Sequence, residues 1–110
     1  MNPEVKQAWL TALRSGDYKQ GRFVLRSKDN DYCCLGVLCD IHAKETGNQW
    51  TQHTFADGEP DDFFYADNVA NIPYEVETWS GLINTSHLMG MNDRVENTFS
   101  QIADYIEENL

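Results

Sequence analysis

The stretch RSGDYKQGRFVLRSK (14–28) gathers Arg14, Lys19, Arg22, Arg26 and Lys28, five of the eight basic residues in a chain of formal charge −10. Cations beside glycines suit phosphate chemistry. Backbone N–H groups freed in turns and guanidinium or ammonium groups both bind its oxygens, and arginine adds bidentate geometry. Tyr18 and Phe23 offer ring faces for a base. A strand over RFVLRS (22–27) would alternate its side chains, placing Arg22, Val24 and Arg26 on one face and Phe23 and Leu25 on the other, toward the core. Gln20 or Asn92 can read polar edges. Asp93, with Asn92 in a turn before a helix, can orient a ligand hydroxyl, although such a pair more simply bonds its own backbone. The candidate ligand-binding set is therefore Arg14, Tyr18, Lys19, Gln20, Arg22, Arg26, Asn92 and Asp93. The P-loop pattern GxxxxGK[ST] is absent. The more ordinary alternative stays open: these cations pair with the abundant carboxylates across a solvated surface.

Cys33, Cys34, Cys39 and His42 form a second group. Cys39 and His42 are neighbours on a helix, but structural zinc needs four ligands, usually as two close pairs, and the second pair is missing. A Cys–His nucleophile is the enzymatic alternative, while burial as core is the expectation for cysteine. Metal ligands and catalytic residues are both expected to be none. The acidic loop ADGEPDD (56–62) lacks calcium-loop spacing and reads as a solvated turn.

The charge is unevenly spread. Residues 1–28 hold six cations against Glu4 and Asp17, a balance of +4, and the rest hold Lys44 and Arg94 against sixteen acids, −14. Such a surface repels a nucleic-acid backbone, so direct nucleic-acid binding is disfavoured, whereas a small anion in a local positive pocket escapes the distant field behind salt screening. Apolar runs are too short for a membrane span, the polar start MNPEVKQAW is unlike a secretory leader, and three clustered cysteines make a poor disulfide framework. A reducing, cytoplasmic setting is expected.

The elements that must position these groups are legible to different degrees. Val5, Ala8, Trp9, Ala12 and Leu13 share one stripe of a helix over 3–15, capped by Asn2, begun by Pro3 and stopped by Gly16. YCCLGVLCDIHAKETG (32–47) reads as a strand running into a helix, with Gly36 either permitting close packing or marking the junction. WTQHTF (50–55) and FFYA (63–66) suggest a hairpin with a long loop. NIPYEVETWSG (71–81) predicts a short helix begun by Pro73 and closed near Gly81, INTSH (83–87) a loop, and HLMGMND (87–93) a strand or a helical turn. Thr98 and Gln101 have capping-box spacing before a helix whose apolar face carries Phe99, Ile102, Ala103, Ile106 and Leu110. The expected architecture is one α+β domain over 1–110, its terminal helices packed on a short, mainly antiparallel sheet.

The blocks ALRSGDYKQGR, DYCCLGVLCD and MNDRVENTFSQIADYIEENL together resemble a family of small, uncharacterised proteins of bacteriophage and bacterial genomes. The blocks span about half of the chain and 48–86 matches loosely. No activity is established for that family. The resemblance implies a small accessory protein, phage-borne, of the kind that counters host defences, sometimes by sequestering nucleotide signals. The leading expectation is non-enzymatic binding of a small anionic, nucleotide-derived ligand without a cofactor, in a pocket that a homo-oligomer could complete. The alternative is an acidic inhibitor of a host protein that mimics nucleic acid, with a thiol-dependent enzyme third.

Overall fold

The computed structural model describes residues 1–83, 85–94 and 97–110. Helix α1 spans Pro3–Ser15: Asn2 accepts from the N–H groups of Glu4 and Val5, Pro3 opens the first turn, and Gly16 closes it at φ 81. Its apolar stripe buries Val5, Trp9, Leu10 and Leu13. Helix α2, Cys34–Thr46, begins at Cys33, whose Sγ accepts from the Gly36 N–H, and buries Cys34–Asp40, His42 and Ala43. A helix apolar on most sides belongs at the centre, and the Trp9 indole secures it by donating to the Cys34 carbonyl at 2.9 Å. Gly36 meets the close-packing alternative: a Cβ there would lie 1.8 Å from the Leu25 carbonyl oxygen.

Strands β1, Thr51–Thr54, and β2, Pro60–Phe64, pair antiparallel through a five-residue loop, with a register irregularity between Gln52 and Thr54. The second strand starts earlier than the sequence suggests. It also ends before Tyr65, which turns into the core beside Ala66 and Asp67, both at positive φ. Helix α3, Tyr74–Ser80, follows Pro73 and stops at Gly81. Helix α4, Ser86–Asp93, settles the alternatives for 87–93 in favour of helix, and takes Ser86 and His87 from the expected loop; Asn84 of that loop lies outside the described residues. Helix α5, Phe99–Asn109, carries the complete Thr98–Gln101 capping box. It packs its face of Phe99, Ile102, Ala103 and Ile106 toward α1, so the terminal helices touch. The fold is α+β, as its sequence indicates.

Two expected strands are missing: the start of 32–47 makes only isolated bridges at Tyr32 before α2 begins at Cys34, and the 22–27 strand does not form either. Within 22–27, Arg26 makes only isolated bridges to Tyr32 and Phe63. Phe23 sits at φ 75, which breaks the alternation: Leu25 enters the core at 0% exposure while Phe23 is 70% exposed. The backbone groups find other partners, the Phe23 N–H on Asp93 Oδ1 and the Leu25 N–H on the Val69 carbonyl. Composition favours a strand here, but loop contacts satisfy the chain without a ladder. Among the described residues no helix is long and apolar enough to cross a membrane.

Candidate functional site

The eight residues singled out by type fall into separate places. Arg14 projects from α1 onto α5, with Asp104 at 2.8 Å and Glu107 at 2.6 Å, and these two carboxylates hold its guanidinium above its ordinary pKa. Asn92 is fully buried. Its Oδ1 accepts from the Cys34 N–H at 3.0 Å and from Gln20 Nε2 at 3.3 Å, and its Nδ2 donates to the Gly21 carbonyl at 2.9 Å. Gln20 also donates to the Asn97 carbonyl and accepts from the Phe99 N–H. These two amides therefore tie the 20–21 segment, the start of α2, the end of α4 and the start of α5 together. Arg22 Nη2 donates to the Arg94 carbonyl at 3.4 Å, beside the Asp93–Phe23 bond. Lys19 is exposed, and its carbonyl accepts from the Tyr32 N–H.

Tyr18 and Arg26 do meet, through Tyr32. The Tyr18 and Tyr32 rings stand edge to face at 5.0 Å, and the Arg26 guanidinium lies 5.4 Å from Tyr32, 5.6 Å from Trp50 and 3.9 Å from Phe63. Asn30 Oδ1 fixes that guanidinium through two bonds. Behind the rings sits Asp40, 9% exposed, accepting from the Tyr18 hydroxyl at 2.5 Å and the Trp50 indole at 3.0 Å, with Lys44 Nζ at 3.3 Å. A buried carboxylate is tolerated only when so surrounded. Burial, and then the bond to Asp40, push the Tyr18 hydroxyl up to about 12. The bond to Tyr18, and then Asp40, raise Lys44. Asp40 and Trp50 carry this corner, and sequence reasoning missed Asp40. Its one signal was the i, i+4 spacing to Lys44 on a helix face.

Tyr18 and Lys44 also form one end of a groove of about 670 Å³ between α1 and the last turns of α2. Its α1 wall is Glu4, Gln7, Ala8, Thr11, Ala12 and Ser15, a single helical stripe beside the core face, and its α2 wall is Ile41, Lys44 and Glu45. Ala8 and Ala12 leave the hollow because their side chains stop at Cβ. The rim carries the carboxylates Glu4, Asp17 and Glu45 against one ammonium, Lys44, which already pairs with Asp40. An apolar floor under an acidic rim can seat an apolar face flanked by cations.

The thiols lie elsewhere. Burial pushes the Cys33 thiol up to about 11 and also raises Cys34 and Cys39, all three being packed in the core. Among the described residues no group of His, Cys, Asp and Glu could hold a metal ion. His42 is buried, with Nδ1 2.6 Å from the Tyr65 hydroxyl. Of the acidic 56–62 segment only the first part is a turn, where Asp57 accepts from the Glu59 N–H; residues 60–62 open β2, and Asp62 accepts from the Lys28 N–H.

No curated protein and no solved structure matches the chain. A family profile does, and it covers every residue of the groove and of the Tyr18–Asp40 corner; the chain belongs to the family described as domain of unknown function DUF8296, matched over residues 1–88.

Proposed function

We propose that the chain is a non-enzymatic binding module whose working surface is the groove between α1 and α2, and whose partner is a basic amphipathic segment of another protein. The observation that carries this reading is the apolar hollow over Ala8, Ala12 and Ile41 ringed by Glu4, Asp17 and Glu45. An amphipathic helix lays residues at i, i+3, i+4 and i+7 into such a groove, and flanking lysines or arginines meet the rim. The surrounding field of a −10 chain speeds that encounter. Burial of all three cysteines supports a role without covalent chemistry. The likeness of its sequence blocks to phage proteins favours a host factor as the partner, bound and blocked in a counter-defence role.

The test is calorimetry with a synthetic basic amphipathic helix of leucine and lysine. Binding that weakens with salt and falls at least about tenfold in Ala12→Trp, which fills the hollow, supports the reading. Binding unchanged in that variant overturns it.

A second reading, sequestration of a small nucleotide-derived anion, draws on the Arg26 guanidinium among Tyr32, Trp50 and Phe63, with Tyr18 close by. Heat on titrating cyclic and ADP-ribose-type nucleotides, lost in Arg26→Ala, favours it. Absence of heat with the whole panel ends it.

A further inference from the structure

The pairing of β1 with β2 dictates what β1 presents on its other side. Thr51 pairs with Phe64, Gln52 with Phe63 and Thr54 with Pro60. A step of two residues on β1 thus matches a step of three on β2, so the bulge belongs to β2 and β1 runs regular. The Phe63 N–H donates to the Arg26 carbonyl, away from β1. Gln52 and Phe63 are therefore a non-hydrogen-bonded pair, and the Gln52 N–H and C=O point outward. Pro60 has no N–H to exchange with Thr54, and the Phe55 N–H reaches the Glu59 carbonyl, so the Thr54 N–H and C=O point outward as well. Among the described residues no further strand or bridge pairs with this edge. Exposed edges are ordinarily guarded by lysine, proline or other charge. Residues 47–56, GNQWTQHTFA, hold no Asp, Glu, Lys or Arg in a chain of charge −10. Thr51–Thr54 are exposed throughout, and the Phe55 ring beside them is 56% exposed.

We propose that β1 pairs antiparallel with β1 of a second copy about a twofold axis at His53, joining two hairpins into one four-stranded sheet. The outward groups fix the axis. Residues opposite each other share a face, so a twofold across an antiparallel edge sets one residue against itself. With His53 there, Gln52 of each copy faces Thr54 of the other, and their outward N–H and C=O groups exchange bonds on both sides of the axis. Either neighbour as centre would set an outward residue of β1 against one outside the strand, Trp50 or Ala56. The same register places the Phe55 ring opposite Thr51 of the second copy, an aromatic and β-branched pair on the face where His53 and Phe64 already meet at 5.4 Å. Charge selects a second copy as the occupant. Over 50–56 no charged residue of one copy opposes one of the other, because the acids of the hairpin begin at Asp57, past the paired stretch. Two chains of −10 meet here without setting carboxylate against carboxylate. A two-stranded sheet is marginal where four strands are usual, and an isologous contact closes at two copies. This edge is separate from the groove, which no residue of 47–64 lines.

The experiment is analytical ultracentrifugation of the full chain across a wide concentration range at physiological salt, with cysteine cross-linking to read the register. Wild type should reach a dimer and stop there. His53→Lys sets like charges directly opposite across the axis and should weaken the dimer at least about tenfold. Because lysine lowers the net negative charge, a merely global repulsion would shift association the other way. Gln52→Pro removes an outward donor that β2 does not use, and should weaken the dimer as much. Under mild oxidant His53→Cys should give a disulfide-linked dimer. Thr51→Cys, offset from its symmetry mate by about four residues or roughly 13 Å along the strands, should not. A wild type that stays monomeric at every concentration overturns the proposal. So does a dimer that His53→Lys leaves intact, or one that Thr51→Cys links and His53→Cys does not. Binding of the leucine–lysine helix should be the same in all these variants, so the edge and the groove fail separately.

Discussion

Tyr18 and Gln20 are two residues apart and end in opposite kinds of polar cluster. Gln20 joins the buried, neutral lock around Asn92, where each amide nitrogen and oxygen bonds a backbone group or the other amide. Tyr18 joins the half-exposed, charged corner around Asp40, which opens onto the groove. The lock specifies where four segments meet and leaves nothing to offer a ligand. The corner keeps an ammonium, a ring face and an apolar floor at the surface. Polar residue type by itself does not separate these outcomes; burial and the number of committed partners do.

The comparison breaks first at the lock. Asn92→Ala strands the Cys34 N–H and the Gly21 carbonyl in the interior and frees Gln20, so chemical denaturation should show a loss of about 3 kcal/mol. A loss under about 1 kcal/mol would mean that the lock is not what fixes the junction.

A smaller effect sharpens the other side. The Tyr18 hydroxyl titrates higher in the folded chain than its ordinary value of 10.0, at about 12. Its contribution is therefore complete below pH 10 and fades as pH climbs toward 12. Stability measured across that window should fall, and Tyr18→Phe should remove about 1 kcal/mol of the fall once screening at a half-exposed corner is allowed for. Part of the slope should persist, because burial also raises Tyr32 and Tyr65. Asn92→Ala, lacking a titrating group, should leave the slope alone.

The terminal helices were legible because each carries its whole specification locally. Asn2, Pro3 and Gly16 bound α1, Thr98 and Gln101 start α5, and one apolar face identifies each. The 22–27 segment misled because its branched and aromatic residues suit a strand, while its actual partners, Asp93 and Val69, lie some 45 to 70 residues away. Gln20 and Asn92 were each expected to meet a polar edge of a ligand; the structure bonds them to each other across 72 residues of sequence, where they close the fold. The groove was invisible for the same reason. Ala8 and Ala12 read as ordinary members of an apolar stripe, and only the approach of Ile41 and Glu45 on α2 turns their smallness into a hollow.

The most direct measurement is residue-by-residue amide shift mapping of the isotopically labelled chain as the leucine–lysine helix is added. Perturbations should follow the outer stripe of α1 from Glu4 to Ser15 and the Ile41–Glu45 turn of α2, and should vanish in Ala12→Trp. Perturbations centred instead on the acidic 55–59 loop and the start of β2, and indifferent to Ala12→Trp, would contradict the groove as the working surface.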